Sequence, residues 1–362
     1  MHEKYMKLAL ELAEKGRGKV NPNPMVGAII VKENKVIGKG YHECYGEAHA
    51  EVKAFQNATE DVEGATLYVT LEPCSHYGKT PPCVDKIIDK KINRVFIGSL
   101  DPNPLVSGRG VQKLIDAGIE VTTGILQKEC RELNEIFMKY IVERKPFVIM
   151  KTAMSLDGKI ATKIGESKWI TCSESRNNVH RLRDQVAGIM VGVNTVIMDN
   201  PKLTCRIENG NNPVRIIVDS SLRIPIDSKV LGKQHIAKTI IATTPQADIR
   251  KKIEIEDKGV KVLITESLEG KVDLQDLMSK LAMENIDSIF LEGGSTLNFS
   301  ALEQSIVDKV QVYIAPKIIG GDKSKTPVGG SGVEYLINAF QLHRVSYRTI
   351  GEDILIEGYI RR

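Results

Sequence analysis

Two short stretches constrain this chain more than anything else in it: Gly46-Glu47-Ala48-His49-Ala50-Glu51, and further on Leu71-Glu72-Pro73-Cys74-Ser75-His76-Tyr77-Gly78-Lys79-Thr80-Pro81-Pro82-Cys83. One imidazole (His49) and two thiolates (Cys74, Cys83) make three ligands of the kind Zn²⁺ takes, leaving one tetrahedral position open for water. Open three-ligand zinc is the catalytic arrangement, whereas closed four-ligand zinc is structural. Glu51, two residues past the histidine, is near enough to handle that water's protons without being a ligand. Taken singly, each residue also fits a packed core, since free cysteine is commonly buried. The ordered set, with both metal helices predicted to start at its members, points to a metal.

His-x-Glu followed by Pro-Cys and a later Cys is the signature of zinc deaminases that act on amino-pyrimidines and amino-purines. Deaminases of nucleic acids space their cysteines Cys-x-x-Cys, but here eight residues separate Cys74 from Cys83. That insertion carries His76 and Lys79, candidate contacts to a substrate ribose or phosphate. It argues for a free nucleotide-like substrate over a flipped-out base. The wider string from Pro73 to Cys83 resembles the deaminase half of the bifunctional riboflavin-biosynthesis deaminase–reductases.

At 362 residues the chain has room for two domains of ordinary size. Its net charge is +4, and the basic residues are interleaved with acids, so no block tracks a phosphate backbone. Residues 1–17 carry charges throughout and do not form a signal peptide. No stretch approaches the ~20 apolar residues of a membrane span. Six cysteines are sparse for a disulfide-built secreted scaffold. The expected compartment is the reducing cytoplasm.

Tyr5, Leu8, Ala9, Leu12 and Ala13 recur at helical spacing. Strands are expected at 26–31 and 36–41 around a Glu33-Asn34-Lys35 turn, then at 66–71, 94–97 and 119–122. Helices are expected at 48–55, from Cys83 to about 90, from Gly108-Arg109-Gly110, and over 127–142. Alternation with short loops indicates an α/β/α layered domain. Glu143-Arg144-Lys145-Pro146 is a charged break, which sets a boundary between domains 1–144 and 145–362. Past it, buried-type strands are expected at 147–150, 188–193, 214–218, 239–242, 260–264, 288–291 and 310–314, with an antiparallel pair at 343–349 and 354–360. This is a second α/β domain of at least seven strands.

No acceptable Gly-x-Gly-x-x-Gly follows a strand, and there is no Walker A sequence. Instead Phe290-Leu291-Glu292-Gly293-Gly294-Ser295-Thr296-Leu297 runs a buried strand into a glycine pair and a helix start, which can hold phosphate on free N–H groups. Several companions resemble the dihydrofolate-reductase-like half of the same riboflavin enzymes. They are the stretches from Lys151 to Thr162 and from Ser167 to Thr171, Arg181-Leu182-Arg183, the stretch from Val191 to Thr195, and that from Asp199 to Arg206. The resemblance spans nearly the whole chain in one order.

What the resemblance implies is a cytidine-deaminase-like α/β/α domain followed by a dihydrofolate-reductase-like domain, with Zn²⁺ and NADPH as cofactors. The implied reactions remove the 2-amino group of 2,5-diamino-6-(5-phosphoribosylamino)pyrimidin-4-one and then reduce the ribosyl group to ribityl. Glu51 would be catalytic, and His49, Cys74 and Cys83 the metal ligands. Asn23, His42, His76, Lys79, Asp101 and Asn103 would meet the deaminase substrate. Ala153, Trp169, Thr195, Asp199, Ser220, Gly294, Ser295 and Thr296 would line the dinucleotide. Ser167, Arg183, Leu203, Arg206 and Glu292 would line the reductase substrate, with Arg183 and Arg206 a plausible phosphate clamp. Asp219 resists this assignment, because an acid at a strand end repels a 2′-phosphate in a Rossmann fold.

The expected partners are small phosphoribosylaminopyrimidines and further copies of the chain, with no nucleic acid and no membrane. Two rivals stand beside this reading. A nucleic-acid-editing deaminase needs a basic groove with stacking aromatics, and ten Tyr, seven Phe and one Trp are thinly spread. A zinc-stabilised binding module needs a fourth protein ligand, for which only His76 lies nearby.

Overall fold

Alternate residues of the strands divide cleanly between two hydrophobic layers. In the strand Gly27–Lys32, Ala28 and Ile30 belong to one core, while Ile29 and Val31 belong to another. Successive side chains of a strand point to opposite faces, so such a strand must be covered on both sides. The computed structural model, which describes residues 1–77, 81–103 and 106–361, covers it with helices. The chain divides into two compact units, Met1–Arg144 and Lys145–Arg362.

In the first unit, strands β1 (Gly27–Lys32), β2 (Lys35–Tyr41), β3 (Thr66–Leu71), β4 (Arg94–Ser99) and β5 (Glu120–Thr123) form one sheet in the order β2-β1-β3-β4-β5. β1 pairs antiparallel with β2 and β3, and β3, β4 and β5 run parallel. Helix α1 (His2–Ala13) covers one face through Tyr5, Met6 and Ala9. On the other face lie α2 (Ala50–Gln56), α3 (Cys83–Asp89) and α4 (Arg109–Asp116). Gly40 lets α2 sit directly on β2, since a Cβ there would overlap the Ala50 carbonyl and the Ala54 N–H. The single helix expected over 127–142 is instead two, α5 (Gln127–Leu133) and α6 (Glu135–Glu143). Asn134 breaks it: its buried amide accepts from Met25 N–H at 2.8 Å and donates to Met25 O at 2.9 Å.

The second unit holds β6 (Phe147–Ser155), α7 (Ser173–Gln185), β7 (Gly188–Gly192), α8 (Val193–Asp199), β8 (Val214–Val218), β9 (Thr239–Thr243), α9 (Ile249–Glu256), β10 (Lys261–Ile264) and a short hairpin, β11 (Ser267–Leu268) with β12 (Lys271–Val272). After these come α10 (Leu274–Met283), β13 (Ser288–Leu291), α11 (Ser295–Glu303), β14 (Lys309–Ala315), β15 (Leu342–Ile350) and β16 (Asp353–Ile360). Nine strands form one sheet, β10-β9-β8-β7-β13-β6-β14-β16-β15. The first seven run parallel and the last two antiparallel. Met190, Ile216 and Ile240 face one core, and Ile189, Ile217 and Ile241 face the other. The hairpin β11–β12 carries no periodic signal and was not expected. β6 runs five residues past the expected 147–150, because Lys151–Ser155 pair with Gln311–Ala315. Among the described residues no helix is long and apolar enough to cross a membrane.

Candidate active sites

In the first unit the metal-ligand types come from three junctions on one side of the sheet. His49 is the N-cap of α2, Cys74 follows β3 after a two-residue turn, and Cys83 opens α3. His49 Nδ1 lies 3.3 Å from Cys83 Sγ and 3.5 Å from Cys74 Sγ, and the three ligand atoms all fall within 4.8 Å of one another. A tetrahedral zinc with ordinary Zn–N and Zn–S bonds separates such atoms by about 3.5–3.8 Å, so the donor set fits the metal. No fourth His, Cys or carboxylate joins this group among the described residues, which leaves the open position a catalytic centre needs.

The backbone N–H of Cys83 donates to Cys74 Sγ at 3.2 Å. The Cys83 thiol beside it holds Cys74 far below the ordinary thiol range, at about 4, and Cys83 itself is raised. Glu51, on the first turn of α2, is 3% exposed, and burial lifts its carboxyl to about 7. A carboxyl titrating near neutrality can both take and return a proton.

Asn23 and His42 come together beside this group. Asn23 Nδ2 donates to His42 Nε2 at 3.2 Å, the His42 Nδ1–H donates to the Ala48 carbonyl, and the His42 and His49 rings meet edge to face at 5.7 Å. Burial keeps His42 neutral by lowering its pKa. Asp101 is raised by burial and by the Glu72 charge, against the opposing pull of the Asn103 N–H and His76, and its Oδ1 accepts from Asn103 N–H at 2.8 Å. His76 is exposed, and Lys79 lies outside the described residues.

Sequence reasoning gave no role to Glu72. Its buried carboxylate accepts from four backbone N–H groups, those of Asp101, Gly108, Gly110 and Val111. It ties the Asp101 loop and the start of α4 to the Pro73-Cys74 turn. The available signal was a carboxylate between an all-buried strand and Pro-Cys.

In the second unit a cavity of about 760 Å³ opens where β6, β7, β8 and β13 end, the side of a parallel sheet where ligands bind. Of the residues expected to meet cofactor or substrate, Ala153, Thr195, Asp199, Ser220, Gly294, Ser295, Thr296, Ser167 and Glu292 line it. The starts of α8 and α11 adjoin there: a Cβ at Gly294 would stand 3.7 Å from Thr195 Oγ1. This pair of helix starts with a bare glycine turn fits a dinucleotide's phosphates.

Trp169, Arg183, Leu203 and Arg206 are not among the cavity's walls. Trp169 is 59% exposed with the Arg176 guanidinium over its ring at 4.7 Å, and Leu203 is buried in the core at positive φ. The expected clamp of two arginines is also divided. Arg183 donates through Nε to Glu292 Oε1 at 2.6 Å and through Nη1 to the Thr204 carbonyl, because a guanidinium so far inside requires a counter-charge. Arg206 is exposed.

Lys151, inside β6, completes the buried group, with Nζ 3.7 Å from Glu292 Oε2. Burial lowers the Lys151 ammonium. Burial also opposes ionisation of Glu292, yet Arg183 and Lys151 together outweigh it and hold the carboxyl at about 2. His180 is pushed down to about 4 by burial and by Arg183 and Arg206. No motif singled out Lys151 for a role; its signal was a lone cation in an apolar strand.

Known proteins resemble both units. Residues 1–99 match the cytidine and deoxycytidylate deaminase zinc-binding region, and residues 146–356 match the RibD C-terminal domain. The riboflavin biosynthesis protein RibD of Actinobacillus pleuropneumoniae is 51% identical over 353 residues, covering 98% of this chain and 94% of that one. Among solved structures, RibD of Acinetobacter baumannii superposes with a TM-score of 0.89 at 34% identity, covering 100% of this chain and 99% of its own. A diaminohydroxyphosphoribosylaminopyrimidine deaminase/5-amino-6-(5-phosphoribosylamino)uracil reductase of Thermotoga maritima superposes with a TM-score of 0.85 at 38% identity, covering 99% of each chain.

Proposed function

The chain belongs to the RibD family of bifunctional riboflavin-biosynthesis deaminase–reductases, and from that premise we propose which residues carry each step. It is an enzyme with a cytidine-deaminase-like zinc unit and a dihydrofolate-reductase-like NADPH unit. Its substrates are small phosphoribosylaminopyrimidines. Deamination of 2,5-diamino-6-(5-phosphoribosylamino)pyrimidin-4-one gives 5-amino-6-(5-phosphoribosylamino)uracil, whose ribosyl group is then reduced to ribityl.

His49 Nδ1, Cys74 and Cys83 would hold zinc, which when bound supplies a Lewis acid that brings the attacking water towards neutral acidity. Glu51 takes a proton from that water as its oxygen adds to the ring carbon. It returns the proton to the departing amino group, so water adds, ammonia leaves and the carboxylate is restored. Asn23, oriented by neutral His42, and the Asp101–Asn103 loop, braced by Glu72, receive the substrate. His76 and Lys79 belong to the ribose or phosphate end.

In the second unit Thr195, Asp199, Ser220 and the Gly294 to Thr296 turn would hold NADPH, with Ala153 and Trp169 towards its edges; the cofactor when bound supplies the hydride. When the ribose ring opens, the C1–O bond breaks and C1 becomes the hydride acceptor. The released ring oxygen then needs a proton. Lys151, an ammonium in the cavity's wall beside Glu292, is the group we assign to donate it. Glu292 keeps Lys151 and Arg183 charged inside the protein; Ser167 lines the cavity, Leu203 packs in the core, and the exposed Arg206, outside the cavity's walls, is assigned to the substrate's phosphate.

The observation that carries this reading is Glu51 buried on the first turn of the helix that His49 caps, beside a three-donor zinc set. The test splits the half-reactions. Glu51→Gln should lose deamination yet reduce pre-deaminated substrate normally, and Lys151→Met should do the reverse while still binding NADPH. Loss of both activities in either variant contradicts the assignment.

The remaining expectations are of place and partners. The enzyme works in the cytoplasm without nucleic acid, and its copies associate. β15, an edge strand exposed along nearly its whole length, with Leu336 and Ile337 some 90% exposed beside it in sequence, is the surface best suited to that association.

A further inference from the structure

Lys151 carries its ammonium on a flexible four-carbon stem, and one carboxylate oxygen 3.7 Å away is a loose tether. The neighbouring strand supplies another. β6 and β14 pair in parallel, with Lys151 opposite Gln311 and Ala153 opposite Tyr313, so these four side chains share one face of the sheet. Val148, Met150, Val310 and Val312 take the other face and pack into its core. Gln311 is turned away from the lysine. The Glu357 carboxylate only accepts, so it draws the amide nitrogen: Gln311 Nε2 donates to Glu357 Oε1 at 2.8 Å, and Gln311 Oε1 is left buried with no hydrogen-bond partner.

Tyr313 meets the ammonium instead. Lys151 Nζ stands over its ring, 5.9 Å from the centroid. The tyrosine is fully buried, and its hydroxyl accepts from Asn178 Nδ2, on α7, at 2.6 Å. Burial raises that hydroxyl to about 12, so the phenol keeps its proton and presents an uncharged ring. The other groups facing the ammonium are Glu292, after β13, and Arg183 and His180 of α7. Glu357 of β16 lies beyond Gln311 and is paired with Arg348 of β15 at 3.0 Å. Glu292 is held at about 2, His180 is pushed down to about 4 and Arg183 is raised, so none of these three changes charge at moderately alkaline pH.

We infer that Tyr313, fixed by Asn178, is a positioning residue for Lys151: its ring and Glu292 together hold the ammonium where it gives its proton to the opened ribose. This inference rests on the reading of Lys151 as the proton donor. The face of an aromatic ring attracts a cation through its quadrupole, and it offers the proton no basic site. A second carboxylate there would compete with the substrate for that proton; a ring holds the charge without competing.

The test is the pH profile of kcat for reduction of 5-amino-6-(5-phosphoribosylamino)uracil by the full-length protein, with wild type, Tyr313→Leu, Tyr313→Phe, Asn178→Ala and Lys151→Met. Titration calorimetry with NADPH reports whether the second unit is folded. Losing the ring removes an attraction for the charged form, so the alkaline limb of Tyr313→Leu should move to lower pH, by about half a unit for a ring near the ~6 Å limit of the interaction. Its kcat at the optimum should fall by up to about a hundredfold, with NADPH affinity unchanged. Tyr313→Phe restores the ring and should recover the wild-type limb and most of the rate. A Tyr313→Leu protein that binds NADPH and keeps the wild-type limb overturns the proposal. So does a Tyr313→Phe protein as impaired as Tyr313→Leu, which would make the hydroxyl the working group. Where Tyr313→Leu does not bind NADPH, Asn178→Ala decides, since it frees the ring and leaves the core filled: a limb moved the same way supports the proposal, and an unmoved limb overturns it. A Lys151→Met protein that still reduces the substrate contradicts the reading of Lys151 itself, and the proposal falls with it.

Discussion

Replacing Glu292 by Gln keeps the shape of the side chain and removes its charge from between two buried cations. In the native protein Arg183 Nε stands 2.6 Å and Lys151 Nζ 3.7 Å from its oxygens, and all three side chains are only 13–16% exposed. A carboxyl held at about 2 in place of its ordinary 4.5 corresponds to about 3 kcal/mol of stability at neutral pH, taking ~1.36 kcal/mol per pH unit. Breaking a buried ion pair on one side independently costs about 3–5 kcal/mol. Glu292→Gln should therefore destabilise the second unit by about 3 kcal/mol at pH 7. The one tryptophan, Trp169, lies in that unit, so a urea titration followed by its fluorescence reports the relevant transition. The folded-state pKa is depressed, so the contribution is fully present above about pH 4.5 and is lost as pH falls towards 2. The gap between wild type and variant should close over that window. A variant within about 0.5 kcal/mol of wild type, or a gap independent of pH, would falsify the ion-pair account.

Cys83→Ser should purify with little zinc, measured by atomic absorption, whereas Glu51→Gln should retain a wild-type content; a zinc-free Glu51 variant would make Glu51 a ligand. A fragment beginning at Lys145 should fold and reduce pre-deaminated substrate, since the second unit has its own two cores; insolubility of every fragment starting between 141 and 147 would count against separable units. Arg206→Ala should raise the reductase KM for phosphorylated substrate roughly ten- to a hundredfold with NADPH affinity unchanged. Equal impairment on a dephospho-substrate would remove Arg206 from the phosphate site.

What the sequence disclosed depended on how local each signal is. Strands such as Thr66–Leu71 and Ser288–Leu291 were legible because every residue in them is buried on one face or the other, and an apolar run bounded by turns announces that. The metal group was legible because its chemistry is written in residue types at fixed places beside helix starts. The break at Asn134 was not, because its cause is a bond to Met25, 109 residues away. Glu72 was missed for the same reason: its four donors come from positions 101 to 111, beyond any pattern around Pro73-Cys74. Asp219 stood against a dinucleotide by its residue type, and its partners lay outside that signal: its carboxylate accepts from the backbone N–H groups of 223 and 224.

The central claim is that one chain performs two successive reactions, and product identification by mass spectrometry tests it most directly. The zinc-loaded protein is given 2,5-diamino-6-(5-phosphoribosylamino)pyrimidin-4-one with and without NADPH. Without NADPH the predicted outcome is accumulation of 5-amino-6-(5-phosphoribosylamino)uracil; with NADPH it is the ribitylamino uracil. Failure to deaminate in either case, or a ribityl product that still carries the 2-amino group, would contradict the account.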